Sequence, residues 1–94
     1  MIRSFANEDT EAIFEGRSVS GFPARIQDGA LMKLQLLNAA MTLDDLAAVP
    51  SNKLSLLDEG DRAGKYCICI NEHGRICFRW DDGNAYDVEI FGYH

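Results

Sequence analysis

Positive charge is what this sequence is shortest of: nine Lys and Arg stand against fifteen Asp and Glu, a formal net charge of -6 over 94 residues. The acidic excess holds in both halves, so there is no basic tail and no charge asymmetry of the kind that marks nucleic-acid binders. Any role on RNA would have to rest on a local patch, because electrostatic contacts supply most non-specific affinity for phosphate. Long apolar runs are missing too. No stretch approaches the roughly 18 residues that a spanning helix needs, and neither a signal peptide nor a lipidation motif is present, so the chain reads as soluble, cytosolic and without a membrane partner. Cysteine is scarce and odd in number. Three thiols in an intracellular-looking chain suggest reduced cysteines rather than a disulfide framework. A metal site built from Cys67, Cys69, Cys77 and His73 is disfavoured, because Cys67 and Cys69 project side by side from one strand while His73 falls in a turn; no metal or cofactor is implied. Internal repeats and low-complexity segments are absent, and the length bounds a single domain, residues 1–94, with one core.

What the sequence does hold is concentrated in its last third. Residues 66–94 contain three short runs rich in Ile, Val, Phe, Tyr and Trp, separated by two polar, glycine-bearing breaks, which reads as an antiparallel meander. A two-residue turn at Asp82-Gly83 would set Phe78 opposite Asp87 and Ile76 opposite Glu89, so a three-residue loop is preferred. With Glu72-His73-Gly74 as the first loop, Ile70 faces Ile76, Ile68 faces Phe78, Tyr66 faces Trp80 and Cys69 faces Cys77, and Gly74 takes a left-handed position. With Asp82-Gly83-Asn84 as the second, Trp80 faces Tyr86, Phe78 faces Val88 and Ile76 faces Ile90, with Asn84 left-handed. One face is then an apolar wall of Tyr66, Ile68, Ile70, Ile76, Phe78, Trp80, Tyr86, Val88 and Ile90. The other collects Cys67, Cys69, Cys77, Arg75, Arg79, Asp87, Glu89, Phe91 and Tyr93, with Arg75 opposite Phe91 and diagonal to Tyr93. That second face is either a solvated surface, on which Arg79 pairs with Asp87, or a candidate site made by Arg75, Tyr93 and the terminal His94.

Upstream, Ile2 to Phe5 can form an edge strand, and Asn7 or Thr10 can cap a short helix that runs through Phe14 and stops at Gly16. Pro23 opens the main helix, whose stripe Ile26, Ala30, Leu34, Leu37 and Met41, widened by Leu31, is suited to cover the apolar wall. Thr42 to Asp45 resembles a capping box, with Met41 placed to staple against Leu46. Residues 51–64 read as a loop or a broken strand. The expected architecture is α+β: an antiparallel sheet with N-terminal helices packed on one face.

The opening Met-Ile-Arg-Ser-Phe, Thr42-Leu-Asp-Asp-Leu, Ser51-Asn-Lys-Leu, Gly60-Asp-Arg-Ala-Gly, Arg75-Ile-Cys-Phe-Arg-Trp, the run from Asp82 to Ile90 and the final Tyr93-His94 resemble the HigB branch of the RelE-like toxins, the plasmid maintenance killer proteins. The resemblance implies a RelE-like two-layer domain. It also implies a toxin of a type II toxin-antitoxin system, a metal-independent endoribonuclease that cuts mRNA in the ribosomal A site and is silenced by a helix-turn-helix, HigA-like antitoxin. Arg75, Tyr93 and His94 match catalytic positions of that family, and Lys53, Arg62, Lys65 and Arg79 are the cations left to form an RNA-binding patch. Arg75 suits bidentate contact with phosphate, His94 proton transfer, and Tyr93 base stacking or hydrogen-bond donation. The chain departs from the pattern where Gly92 replaces an acidic residue, Ser55 a His or Glu, and Cys69 an Arg, and where Met32 and Gln35 stand on the long helix. Two functions follow: a toxin that cleaves RNA, or a RelE-like scaffold that binds its antitoxin without cleaving.

Overall fold

The computed structural model describes residues 1–58, 60–72 and 74–91. Among these residues the chain forms α1 (Glu8–Phe14), α2 (Ala24–Ala39), α3 (Leu43–Ala47) and the strands β1 (Ser55–Leu56), β2 (Tyr66–Asn71), β3 (Gly74–Asp81) and β4 (Asn84–Phe91). Asn7 caps α1, its side-chain oxygen accepting the Thr10 N–H at 2.9 Å, and the acidic residues Glu8, Asp9 and Glu11 complement the helix dipole. Gly16 follows the helix with φ +84, a conformation that favours glycine, so the chain leaves the axis there. The polar link to α2 is tied by Gln27, whose amide donates to the carbonyls of Val19 and Phe22 at 2.9 and 2.8 Å. Ile26, Ala30, Leu34 and Leu37 recur at helical spacing and are all fully buried, the expected stripe. Met41 does not extend it. The helix ends at Ala39 and Ala40 is extended, which leaves Met41 78 % exposed, so it neither joins the stripe nor staples to the buried Leu46. The capping box itself is present: Thr42 accepts from the Asp45 N–H, and the N–H groups of Met41 and Thr42 hold the Asp45 carboxyl below its ordinary pKa.

The four strands form one antiparallel sheet in the order β1-β2-β3-β4. Ile2 and Phe5 bridge in parallel to Ala85 and Val88, so the N-terminus lines the outer edge of β4 through two isolated bridges rather than as the expected edge strand. Both hairpin registers differ from the expected ones. In the first, Tyr66 pairs with Phe78, Cys67 with Cys77, Ile68 with Ile76 and Cys69 with Arg75, and Asn71 pairs with Gly74 across the turn. The offset is two residues, an even number, so each side chain keeps its face. Gly74 is not left-handed; it is buried, and a Cβ there would meet Ile70 and Ile26 at 3.4 and 3.6 Å. In the second hairpin the turn is Asp82-Gly83, with φ of 49° and 79°, the pair of left-handed residues whose twist matches the flanking strands. Asn84 instead pairs with Asp81. The charge mixing that argued against this turn is avoided by a bulge at Asp87, φ 51°, whose N–H is accepted by Ser4 Oγ at 2.8 Å. Beyond the bulge Ile76 faces Ile90 and Arg75 faces Phe91, as expected. Before it Trp80 faces Ala85 and Arg79 faces Tyr86, so Ala85 takes the core position and Tyr86 moves to the open face.

Helix α2 lies on the apolar face, over Ile68, Ile76, Phe78 and Val88, all fully buried. Phe78 is central, its ring 6.2 Å from those of both Tyr66 and Trp80. Burying a side chain of this size stabilises by about 1.5–3 kcal/mol. Thr10 joins α1 to the sheet, its hydroxyl accepting the Ile90 N–H at 3.1 Å. No helix of the described residues is long and apolar enough to cross a membrane.

Candidate functional site

Strand alternation and the two registers arrange the open face in cross-strand rows. One runs Ser55, Cys67, Cys77, Glu89; the next runs Cys69, Arg75, Phe91; and Arg79 with Tyr86 form a third. Only part of this face is solvated. Residues 60–65 of the connection between β1 and β2 cover part of it, Arg62 reaching Glu89 and Phe91, and Cys67 and Cys77 are buried.

Glu89 gathers the cations of that covering segment. Arg62 Nε donates to its carboxylate at 2.7 Å, Lys65 Nζ stands 3.8 Å from the same oxygen, and the Arg62 guanidinium lies 4.3 Å from the centre of the Phe91 ring. The hydrogen bond to Glu89 raises the Arg62 pKa further above its ordinary value. Arg79 pairs with Asp87 at 3.4 Å, the solvated arrangement foreseen for the open face. Three of the four cations expected to bind RNA are therefore in contact with carboxylates. The Arg79–Asp87 pair is exposed and contributes about 0–1 kcal/mol, whereas Lys65 and Glu89 are largely shielded from solvent, so their pairing is screened less.

The thiol row has its own electrostatics. Cys77 faces Cys67 directly and donates its hydrogen bond to it, Ser55 Oγ lies 3.1 Å from Cys67 Sγ, and Arg75 adds positive charge. Together these lower the Cys67 pKa to about 6 against the opposing effect of burial, while the Cys77 thiol is pushed up. One proton leaves this pair easily and the other is held.

Arg75 is exposed and opens onto a cleft of about 630 Å³ at the end of the sheet, lined by Ser51 and Lys53 and by Cys69, Asn71, Glu72, Arg75 and Phe91. Among the described residues neither Arg75 nor Lys53 is in a salt bridge with a carboxylate. Lys53 reaches the cleft from a left-handed backbone, φ 46°, just after a 3₁₀ turn at Pro50–Asn52. The expected site residues thus divide. Arg75 and Lys53 meet at one cleft, Arg62 is joined to it through Phe91, and Lys65 and Arg79 lie further along the face. Tyr93 and His94, with Gly92, lie outside the described residues, as does His73 of the disfavoured metal site. Among the described residues no cluster of His, Cys, Asp and Glu is placed to hold a metal ion.

Sequence reasoning missed Glu89 as the anchor for Arg62 and Lys65, and Phe91 as the surface under Arg62. A signal existed, because alternation had already set both on the open face beside Arg75 and Cys77. It also missed the partners of Lys33, which lies on α2 with its ammonium donating to Ser51 Oγ and Asn52 Oδ1 at 2.9 and 2.6 Å.

Comparison with known proteins gives the same answer along the length of the chain. The model of the family described as the RelE-like toxin HigB of type II toxin-antitoxin systems matches residues 3–94. A protein named Endoribonuclease HigB from Proteus vulgaris is 33% identical over 94 residues, the whole of both chains. Toxin HigB-1 of Vibrio cholerae serotype O1 is 36% identical over 68 residues, covering 72% of this chain and 70% of that one. With the helices, the four-stranded sheet and the open face arranged as above, the chain belongs to the HigB-like family, the RelE-like toxins of type II toxin-antitoxin systems.

Proposed function

We propose that this chain, acting as one toxin domain in the cytoplasm, is a ribosome-dependent endoribonuclease that cleaves mRNA in the A site, and that a helix-turn-helix, HigA-like antitoxin binds and silences it. The observation that carries this reading is the cleft where Arg75 and Lys53 converge beside Phe91, in a chain whose relative along its full length is named an endoribonuclease. RNA supplies its own nucleophile. The 2′-hydroxyl gives up its proton and attacks the adjacent phosphorus, the bond to the 5′-oxygen breaks, and that oxygen takes a proton, leaving a 2′,3′-cyclic phosphate and a 5′-hydroxyl. Arg75 stabilises the negative charge on the phosphorane, and Lys53 and Arg62 hold neighbouring phosphates. His94 moves a proton and Tyr93 stacks on a base, residues that follow Phe91 closely in the sequence.

A second reading, a scaffold that binds the antitoxin without cleaving, is favoured by one specific observation: Glu89 and Asp87 occupy Arg62, Lys65 and Arg79 in a chain of net charge -6. Inducible expression in bacteria with mapping of transcript ends separates the two. Growth arrest with new 5′-hydroxyl ends inside translated codons supports the ribonuclease. No arrest and no new ends, even after Gly92→Asp with Ser55→His, supports the scaffold.

A further inference from the structure

Lys33 is an anomaly in the packing of α2. It stands beside Leu34 and between the buried turns of Ala30 and Leu37, is only 8 % exposed, and has no carboxylate in salt-bridge contact among the described residues. A buried ammonium is costly to desolvate, and two neutral oxygens compensate it less well than an anion. Both oxygens belong to the same short segment. Lys33 Nζ donates to Ser51 Oγ at 2.9 Å and to Asn52 Oδ1 at 2.6 Å. Asn52 is itself fully buried, and its Nδ2 donates to the Leu46 carbonyl at 3.0 Å. The 3₁₀ turn is thus held from two sides, by α2 through Lys33 and by α3 through Leu46. The next residue is Lys53, left-handed at φ 46° and ψ 50°, a conformation that a residue with a Cβ keeps only when its surroundings impose it. Ser51 and Lys53 line the cleft that Arg75 enters from β3.

We infer that Lys33 is a positioning residue for the RNA reaction: acting through Ser51 and Asn52, it sets where Lys53 stands across the cleft from Arg75. The inference rests on the ribonuclease reading and adds to it a residue that never meets the substrate. Its physical sense is preorganisation. A lysine on a four-carbon stem grips phosphate well only if its backbone is fixed beforehand, and a helix-borne buried cation fixes this turn more firmly than a neutral contact would.

Two measurements on the full chain test it. The first is amide hydrogen exchange, which needs no activity. The Asn52 and Lys53 N–H groups donate to Val49 and Pro50 carbonyls at 3.0 and 3.3 Å. In Lys33→Met their exchange should quicken by about tenfold or more, the effect of removing a charge-assisted hydrogen bond, while β3 amides such as Phe78 stay within about twofold. Ser51→Ala, an exposed and mild change, should quicken the same two amides by less; it serves if Lys33→Met does not fold. Unchanged exchange at Asn52 and Lys53 in the folded variants overturns the inference. The second measurement is mRNA cleavage on translating ribosomes in a two-by-two set with Lys53→Ala. Lys33→Met should raise KM several-fold with kcat little changed, Lys33→Arg should restore it, and Lys33→Met should add nothing once Lys53 is Ala. An equal loss in both backgrounds means a general loss of stability and overturns the positioning role. Absence of cleavage by the unsubstituted chain overturns the ribonuclease reading instead, and exchange alone then decides whether Lys33 holds the turn.

Discussion

Replacing Thr10 with valine changes almost nothing about the shape of the core and removes one acceptor. Thr10 is fully buried, and its hydroxyl is the acceptor for the Ile90 N–H at 3.1 Å. Ile90 is 4% exposed, so no water replaces the lost oxygen. An orphaned buried donor costs about 1–3 kcal/mol, whereas the added methyl fills the space of the hydroxyl and creates no cavity. For a chain of this size each kcal/mol lowers Tm by about 4–8 °C, so Thr10→Val should melt roughly 5–20 °C below the unsubstituted chain. Thr10→Ser separates the hydrogen bond from the packing, because it keeps the oxygen and loses one methyl, worth about 1 kcal/mol. Circular-dichroism melts with urea titrations should rank the three as parent, Ser, Val. If Val melts within a degree of the parent, or above Ser, then α1 is not tied to β4 by this bond and the hydrogen-bond reasoning fails.

The bulge at Asp87 makes a second test, since its φ of 51° is tolerated by Asp but strained for a β-branched residue; Asp87→Val should cost about 1–2 kcal/mol in urea unfolding, and Asp87→Gly little. The thiol row predicts a pH dependence. Cys67, at about 6 when folded against 9.0 ordinarily, has lost between those values a proton that the unfolded chain still holds, so stability should rise with pH across that window and level off below about 6. Above 9 the raised Cys77 reverses the slope, and Cys67→Ala should flatten the rise in urea titrations under reducing conditions. Because Arg75, Lys53 and Arg62 must hold phosphates on a chain of net charge -6, binding of single-stranded RNA should weaken steeply from low to physiological salt; a flat salt dependence would deny phosphate contacts.

How much of this was legible in the residues follows from parity and from local chemistry. The two faces of the sheet could be read because alternation survives an error of two in register, which is why Phe78 is buried and Arg75 exposed although the first hairpin pairs differently. The Asp82-Gly83 turn could have been chosen on its own residues, but the bulge that reconciles it with the core depends on Ser4, some eighty positions away. Tyr86 was misplaced for the same reason. Caps were readable at Asn7 and Thr42, where side chain and backbone partner lie three residues apart. Met41 was not, because nothing local announces that Ala40 turns extended. At the candidate site, Arg75 and its neighbour Phe91 came from alternation alone. The reach of Arg62 to Glu89, and the seating of Lys33 on Ser51 and Asn52, join segments that sequence spacing does not bring together.

Cleavage of a translated mRNA by ribosomes programmed in vitro, compared between the parent chain, Arg75→Lys and Arg75→Ala, bears most directly on the ribonuclease reading. Arg75 faces the cleft from the row it shares with Phe91, and losing one preorganised charge-stabilising donor typically lowers the rate about a hundredfold or more. The expected result is codon-spaced cleavage by the parent chain, a partial loss in Arg75→Lys, which keeps charge without the bidentate fork, and at least a hundredfold loss in Arg75→Ala with the fold intact by circular dichroism. Equal cleavage by the parent and Arg75→Ala would contradict the placement of the reaction at this cleft.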